Sequence, residues 1–125
     1  MAFTTSDAAA ILNAGRGTAY AAWTPFFVAF TADPTAAGAF TAELTGGGYA
    51  RQSVTLSVPA SKATNNTTQL TFTATAGTVI THIGIADAVT AGTLRRYVAL
   101  GTAVTVGSSG QVTVAATTGL TDTLA

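Results

Sequence analysis

Residues 53–75, SVTLSVPASKATNNTTQLTFTAT, carry the pattern on which the fold turns. Val54, Leu56 and Val58 alternate with Ser53, Thr55 and Ser57 until Pro59, which cannot donate to a sheet ladder, ends the run. A polar loop, Lys62 to Thr68, follows. Leu70, Phe72 and Ala74 then alternate with Thr71, Thr73 and Thr75 as far as the break at Gly77. A period of two puts one set of side chains on each face of a strand. Both runs therefore offer an apolar face for a core and a Thr-rich face that tolerates water.

Toward the C-terminus, Thr78 to Ala86 (TVITHIGIA) is apolar on both faces and reads as a central strand. Asp87 to Thr93 is a turn. Leu94 to Leu100 is the next strand, with Leu94, Val98 and Leu100 facing one way and Tyr97 and Ala99 the other. Two short runs, Ala103–Val106 and Gln111–Ala115, are joined by Gly107-Ser108-Ser109-Gly110, which reads as a hairpin connection. Leu120 to Leu124 is expected as a last edge strand.

Toward the N-terminus, Phe40–Leu44 is a further candidate strand, closed by Gly46-Gly47-Gly48 as a mobile or tightly turning loop. Phe26, Val28 and Phe30 alternate with Phe27, Ala29 and Thr31, so both faces of that strand are apolar; Asp33-Pro34 ends it. The first residues read differently. Thr4, Thr5, Ser6 and Asp7 offer helix N-caps, Ala8 to Leu12 are good helix formers, and Asn13-Ala14-Gly15 is a stop. A helix this short is marginal alone, so Ile11 and Leu12 are expected to dock on the sheet.

Seven to nine short antiparallel strands at a spacing of roughly ten residues predict an all-β fold, a β-sandwich or barrel. No composition shift marks a linker, so residues 1–125 are read as a single β-rich domain, with 1–17 as an N-terminal helical segment or arm. The expected core comprises Val54, Leu56, Leu70, Phe72, Ile83, Ile85, Val98 and Leu100. Ser53, Thr55, Thr71 and Thr73 are expected outside.

Composition narrows the function. Hydrophobic residues make up 48% of the chain and charged residues 8%, with no cysteine. Disulfides, thiolate nucleophiles and Cys-bound zinc are excluded. Five basic residues balance five acidic ones, and the adjacent pair Arg95-Arg96 is too little for a phosphate-tracking surface, so no nucleic acid is expected as partner. No apolar run is long enough for a membrane span, and no signal peptide is read at the start. A neutral chain this poor in charge has little to hold its neighbours apart.

Nothing assembles into a catalytic or metal-binding pattern. His82 is the one histidine, without a nucleophile-elbow serine or a positioned carboxylate; on a strand face with Ile80, Gly84 and Ala86 it reads as a half-buried packing residue. One His and scattered carboxylates have no metal-ligand spacing, so neither metal nor cofactor is expected. The Gly46–Gly48 run lacks the Lys-Ser/Thr of a phosphate loop. Asn65-Asn66-Thr67-Thr68 contains glycosylation sequons, which mean nothing without a secretory route. Arg95 and Arg96 are expected on opposite faces of their strand, the inward one needing a carboxylate such as Glu43 or Asp87.

Several segments together carry a resemblance. Leu12-Asn13-Ala14, Arg16 to Tyr20, Val28 to Pro34, Gly46-Gly47-Gly48-Tyr49-Ala50-Arg51-Gln52, Thr81 to Ala88 and Gly92-Thr93-Leu94 with Tyr97 and Ala99-Leu100 occur in this order. The series resembles small bacteriophage proteins described as tail fibre or minor tail proteins. It departs from that pattern at Ala74-Thr75-Ala76-Gly77, where an aromatic is expected. The resemblance implies a virion structural protein, made in the bacterial host cytoplasm and partnered by copies of itself and other phage virion proteins.

Three roles fit: a tail-associated subunit, the reading favoured here; a capsid decoration protein; and a receptor- or carbohydrate-binding module contacting a host surface glycan. Trp23, Tyr49 and Tyr97 would be the stacking residues of the last. No role requires an enzyme. Because the Phe26–Thr31 strand is apolar on both faces, one face is expected to meet another subunit. Phe26, Phe27, Val28 and Phe30, with Trp23, Tyr49 and Arg51, are the expected interface.

Overall fold

A computed structural model describes residues 1–116 and 120–123. The elements run β1 (Ala2–Phe3), α1 (Thr5–Gly15), β2 (Phe26–Phe30), β3 (Gln52–Ser53), β4 (Ala63–Asn65), β5 (Leu70–Thr73), β6 (Val79–Ala86), β7 (Leu94–Thr105), β8 (Gln111–Val114) and β9 (Thr121–Thr123). The fold is all-β with one short helix among the described residues. Five strands form an antiparallel sheet in the order β1-β7-β6-β2-β3; β4 pairs with β9, and β5 with β8.

The two strands that are apolar on both faces, β2 and β6, are neighbours inside the large sheet. The larger core lies between that sheet and the β5–β8 pair: Phe27, Ile83 and Ile85 meet Leu70 and Phe72, with Val54, Val106 and Leu120 closing the sides. The opposite face carries a smaller core, Val28, Phe30, Ala86 and Leu94, covered by Phe40 and Tyr97. At Gly84, in the middle of β6, a Cβ would stand 2.5 Å from the Arg96 carbonyl oxygen, so β7 can lie this close only against glycine.

All eight residues expected in the core are buried or half-buried, and Ser53, Thr55, Thr71 and Thr73 are exposed. The register of β5 is as its alternation predicts, with Leu70 and Phe72 inward. Thr4 caps the helix, its Oγ1 accepting from the Asp7 N–H at 3.4 Å. Ile11 is half-buried, but Leu12 is 72% exposed and does not dock.

Several expected elements come out differently. Phe40–Leu44 forms no strand. It touches β2 through one bridge, Phe30 to Glu43, because Phe40 lies on the smaller core while Leu44 crosses into the larger one. The 53–58 run leaves the sheet after Ser53, since β2 begins at Phe26 and the ladder ends there. The chain then pairs with the expected polar loop, the Ser57 N–H donating to the Asn65 carbonyl at 2.8 Å. That loop contains β4, and Val58 is left 88% exposed.

Gly107–Gly110 joins no hairpin: β7 pairs with β6, β8 with β5, so the segment carries the chain from one layer to the other. Gly46, Gly47 and Gly48 all have positive φ, a tight turn in which a Cβ on Gly47 would stand 2.3 Å from the Thr75 nitrogen. The final strand is present as β9, and Leu124 lies outside the described residues.

Two irregularities in the β6–β7 ladder reverse the expected facing of side chains. Ile85 pairs with Arg96 and Ala86 with Leu94, so Arg95 is an extra, unpaired residue. Such a bulge re-aims side chains. Leu94 consequently faces the smaller core while Val98 and Leu100 pack on the larger one. Farther along, Ile80 pairs with Val104 and His82 with Ala99, leaving Leu100–Ala103 opposite Thr81 alone. The two strands expected over 94–100 and 103–106 are one strand, β7; only the pairing with β6 is interrupted at their expected boundary, and this puts Ile80 in the larger core with Ile83 and Ile85.

Candidate functional site

The bulge at Arg95 brings both arginines to one buried carboxylate. Asp7, in the first turn of α1, is completely buried. Arg95 Nη1 lies 3.4 Å from its Oδ1 and Arg96 Nη1 3.0 Å from its Oδ2. Arg95 also meets Asp87 at 2.8 Å, and Arg96 meets Asp122 at 2.8 Å. The Arg96 contacts are ion pairs whose atoms lack the alignment of hydrogen bonds. The Met1 ammonium stands 3.9 Å from Asp122.

Aromatic side chains enclose this network. The Tyr20 hydroxyl donates to Asp7 Oδ1, and Trp23 Nε1 donates to the Tyr20 oxygen at 2.8 Å. Burial, followed by the bond to Asp7, pushes the Tyr20 phenol above its ordinary pKa and keeps it a donor. Arg96 lies 4.6 Å over the Phe3 ring, a cation–π contact. Helix α1, β7, the β6–β7 turn and β9 are thereby tied to one cluster of charge.

A second ion pair is anchored to the same β6–β7 turn. Arg51 holds Glu43 through Nε and Nη2 at 2.7 and 2.8 Å, and its Nη1 donates to the carbonyls of Ala88 and Ala91, each at 2.8 Å. The bond to Glu43 raises the pKa of the guanidinium. Tyr49 donates to Glu43 and accepts from the Ala29 N–H, both at 3.2 Å, and burial raises its phenol pKa strongly.

The seven residues read from the sequence as an interface are turned inward. Phe27, Val28, Phe30 and Arg51 are buried; Phe26, Trp23 and Tyr49 are half-buried. Both apolar faces of β2 are covered by the chain itself, one by β5–β8 and the other by the 34–44 segment, which accounts for their composition without a second subunit. Trp23 and Tyr49 are engaged in the two networks. His82 bonds Thr81 through Nδ1 at 2.9 Å, and its Nε2 lies 4.0 Å from Asp33. Among the described residues no group of three or more His, Asp or Glu is placed to hold a metal ion.

The roles of Asp7 and Asp122 were missed in the sequence. The signal was the pair Arg95-Arg96, which on a strand in an uncharged protein must find carboxylates somewhere. Of the two expected carboxylates, Asp87 pairs with Arg95, whereas Glu43 belongs to Arg51.

Burial pushes Asp122 above the ordinary carboxylate range, although Arg96 and the Met1 ammonium pull it back. A carboxyl with a raised folded pKa contributes stability that is fully present below its unfolded value and is lost as pH rises through the folded one. Acidification from about pH 7 to about pH 4 should therefore widen the melting-temperature advantage of the wild type over Asp122→Asn. A narrowing gap in thermal melts at the two pH values would reverse this assignment.

With the charges gathered inside, the exterior is uncharged polar and small apolar surface. Arg16, Lys62 and Asp33 remain on it, beside exposed Leu12, Val58, Val79, Val89 and Val104. No curated protein matches the chain. A family model described as podophage GP4 fiber I protein gp80 matches residues 2–121, from β1 into β9. Its span takes in the Arg51–Glu43 network, the Asp7–Arg95–Arg96–Asp87 part of the other network, the bulged β7 and the two-layer core, and the chain belongs to this phage fibre family as a structural component of the virion.

Proposed function

We propose that the chain is a tail-associated fibre subunit that acts by assembly with copies of itself and with other virion proteins, without catalysis. The observation that carries this reading is where the charge lies. Seven of the ten charged side chains, Asp7, Asp87, Asp122, Arg95, Arg96, Glu43 and Arg51, are held in two internal networks. Apart from Arg16, Asp33, Lys62 and Leu12, what faces outward is mostly Thr, Ala, Ser, Gly and single valines, a surface with little electrostatic barrier to close packing against similar surfaces.

Contacts made through such a surface should be insensitive to salt, because screening weakens only charge–charge attraction. Sedimentation at low and high ionic strength should give the same association, and the protein should stay on particles washed in high salt. Labelled particles in electron microscopy should carry it at the tail. A protein that washes off with salt, or that follows the capsid axes, would overturn this reading.

A further inference from the structure

Beyond Tyr97, where β1 stops, the outer edge of β7 has no neighbouring strand among the described residues. On the inner side, Leu100, Gly101, Thr102 and Ala103 have no ladder partner in β6. Residues 101–105 are all exposed. Proteins ordinarily protect such an edge with Lys, with Pro or by covering it. From Tyr97 to Gly110 there is neither a charged residue nor a proline. The bulge alone interrupts the edge, and it leaves ladder positions vacant on both sides.

The vacant stretch is also complementary to itself. Val98-Ala99-Leu100-Gly101-Thr102-Ala103-Val104 reads almost the same in both directions about Gly101. Two copies laid antiparallel with Gly101 opposite Gly101 would set Val98 against Val104, Ala99 against Ala103 and Leu100 against Thr102. No like charges meet. Val98 packs on the larger core, and Leu100 and Val104 line an apolar cleft between the large sheet and the β5–β8 pair. The partner's Val104 would thus extend the apolar layer already formed by Val98 and Leu100. On the other face, Ala99, Gly101 and Ala103 have no bulk to obstruct the approach.

We propose that β7 is the self-assembly edge: two copies pair antiparallel through residues 98–104 about Gly101, joining their five-stranded sheets into one. This is an isologous contact, closed by a two-fold axis. It rests on the reading that the subunit assembles with copies of itself, and it names where.

The chain has no cysteine, so an introduced thiol reports a single geometry. Under mild oxidation Gly101→Cys should link two full-length copies. Thr105→Cys, equally exposed, should not, because in this register its counterpart lies eight residues along the ladder, roughly 27 Å away.

A second pair of variants tests the energetics. Gly101 has an ordinary φ and open space around its Cβ position, so side chains are accommodated in the single chain. Gly101→Lys places like charges opposite each other and should weaken self-association by roughly tenfold or more with the melting of the single chain unchanged. Mixing Gly101→Lys with Gly101→Asp copies should restore it. If the protein associates but Gly101→Cys fails to link and Gly101→Lys has no effect, this edge is wrong and self-assembly stands. If the wild type stays monomeric at all concentrations, the self-assembly reading itself falls.

Discussion

Replacing Asp7 by alanine is expected to cost about 3–5 kcal/mol of folding stability, the range for breaking a buried ion pair from one side. The cost arises from what is left behind. Arg95 and Arg96 both point at the Asp7 carboxylate from a bulged strand, and Tyr20 donates to it. Without it, three positive groups, Arg95, Arg96 and the Met1 ammonium, share only Asp87 and Asp122, and one positive charge in a mostly water-shielded cluster is left unbalanced. A domain of this kind has about 5–15 kcal/mol in total, so the melting temperature should fall by roughly 10–20 °C. Asp7→Asn keeps the shape and an acceptor but loses the charge, and should lie between the two. Denaturant titration measures all three. An unchanged midpoint in Asp7→Ala would mean that the network does not hold the N-terminal helix to β7.

Truncating Phe72 should be comparably damaging for a different reason. Its ring is buried where the layers meet, 5.5 Å from Phe27 and edge-on to Tyr49 at 5.9 Å. Phe72→Ala removes these contacts and enlarges the cleft beside them, at a cost of about 3–5 kcal/mol. Thr71, the adjacent residue on β5, faces water. Thr71→Ala should therefore stay within about 0.5 kcal/mol of the wild type. The contrast is diagnostic, because a slip of one residue in β5 would exchange the two results. Equal effects in thermal melts would refute the register.

What could be read along the chain was whatever depends on near neighbours. The alternation in 70–75 places Leu70 and Phe72 inward, the double apolarity of 78–86 puts β6 inside the sheet, and the cap candidates Thr4 to Asp7 start the helix, Thr4 being the one used. The ladder irregularity around Gly101 falls in the gap between the runs 94–100 and 103–106, although the two runs form one strand.

Tertiary structure decided which strand meets which. Gly107–Gly110 has hairpin composition, yet β8 goes to β5 because Val112 and Val114 find the larger core there. It also decided what covers the second apolar face of β2. A face written Val28, Phe30 looks the same whether a loop of its own chain or another subunit lies over it, and here it is Phe40. Charge pairing was hidden for the same reason. One extra residue in β7 turns Arg95 and Arg96 to the same carboxylate, 88 positions away from Arg95 in sequence. Period and polarity act over a few residues and are written along the chain. Pairing, bulges and ion-pair partners are set by which distant segments share a low-dielectric interior, and that is a property of the packed fold alone.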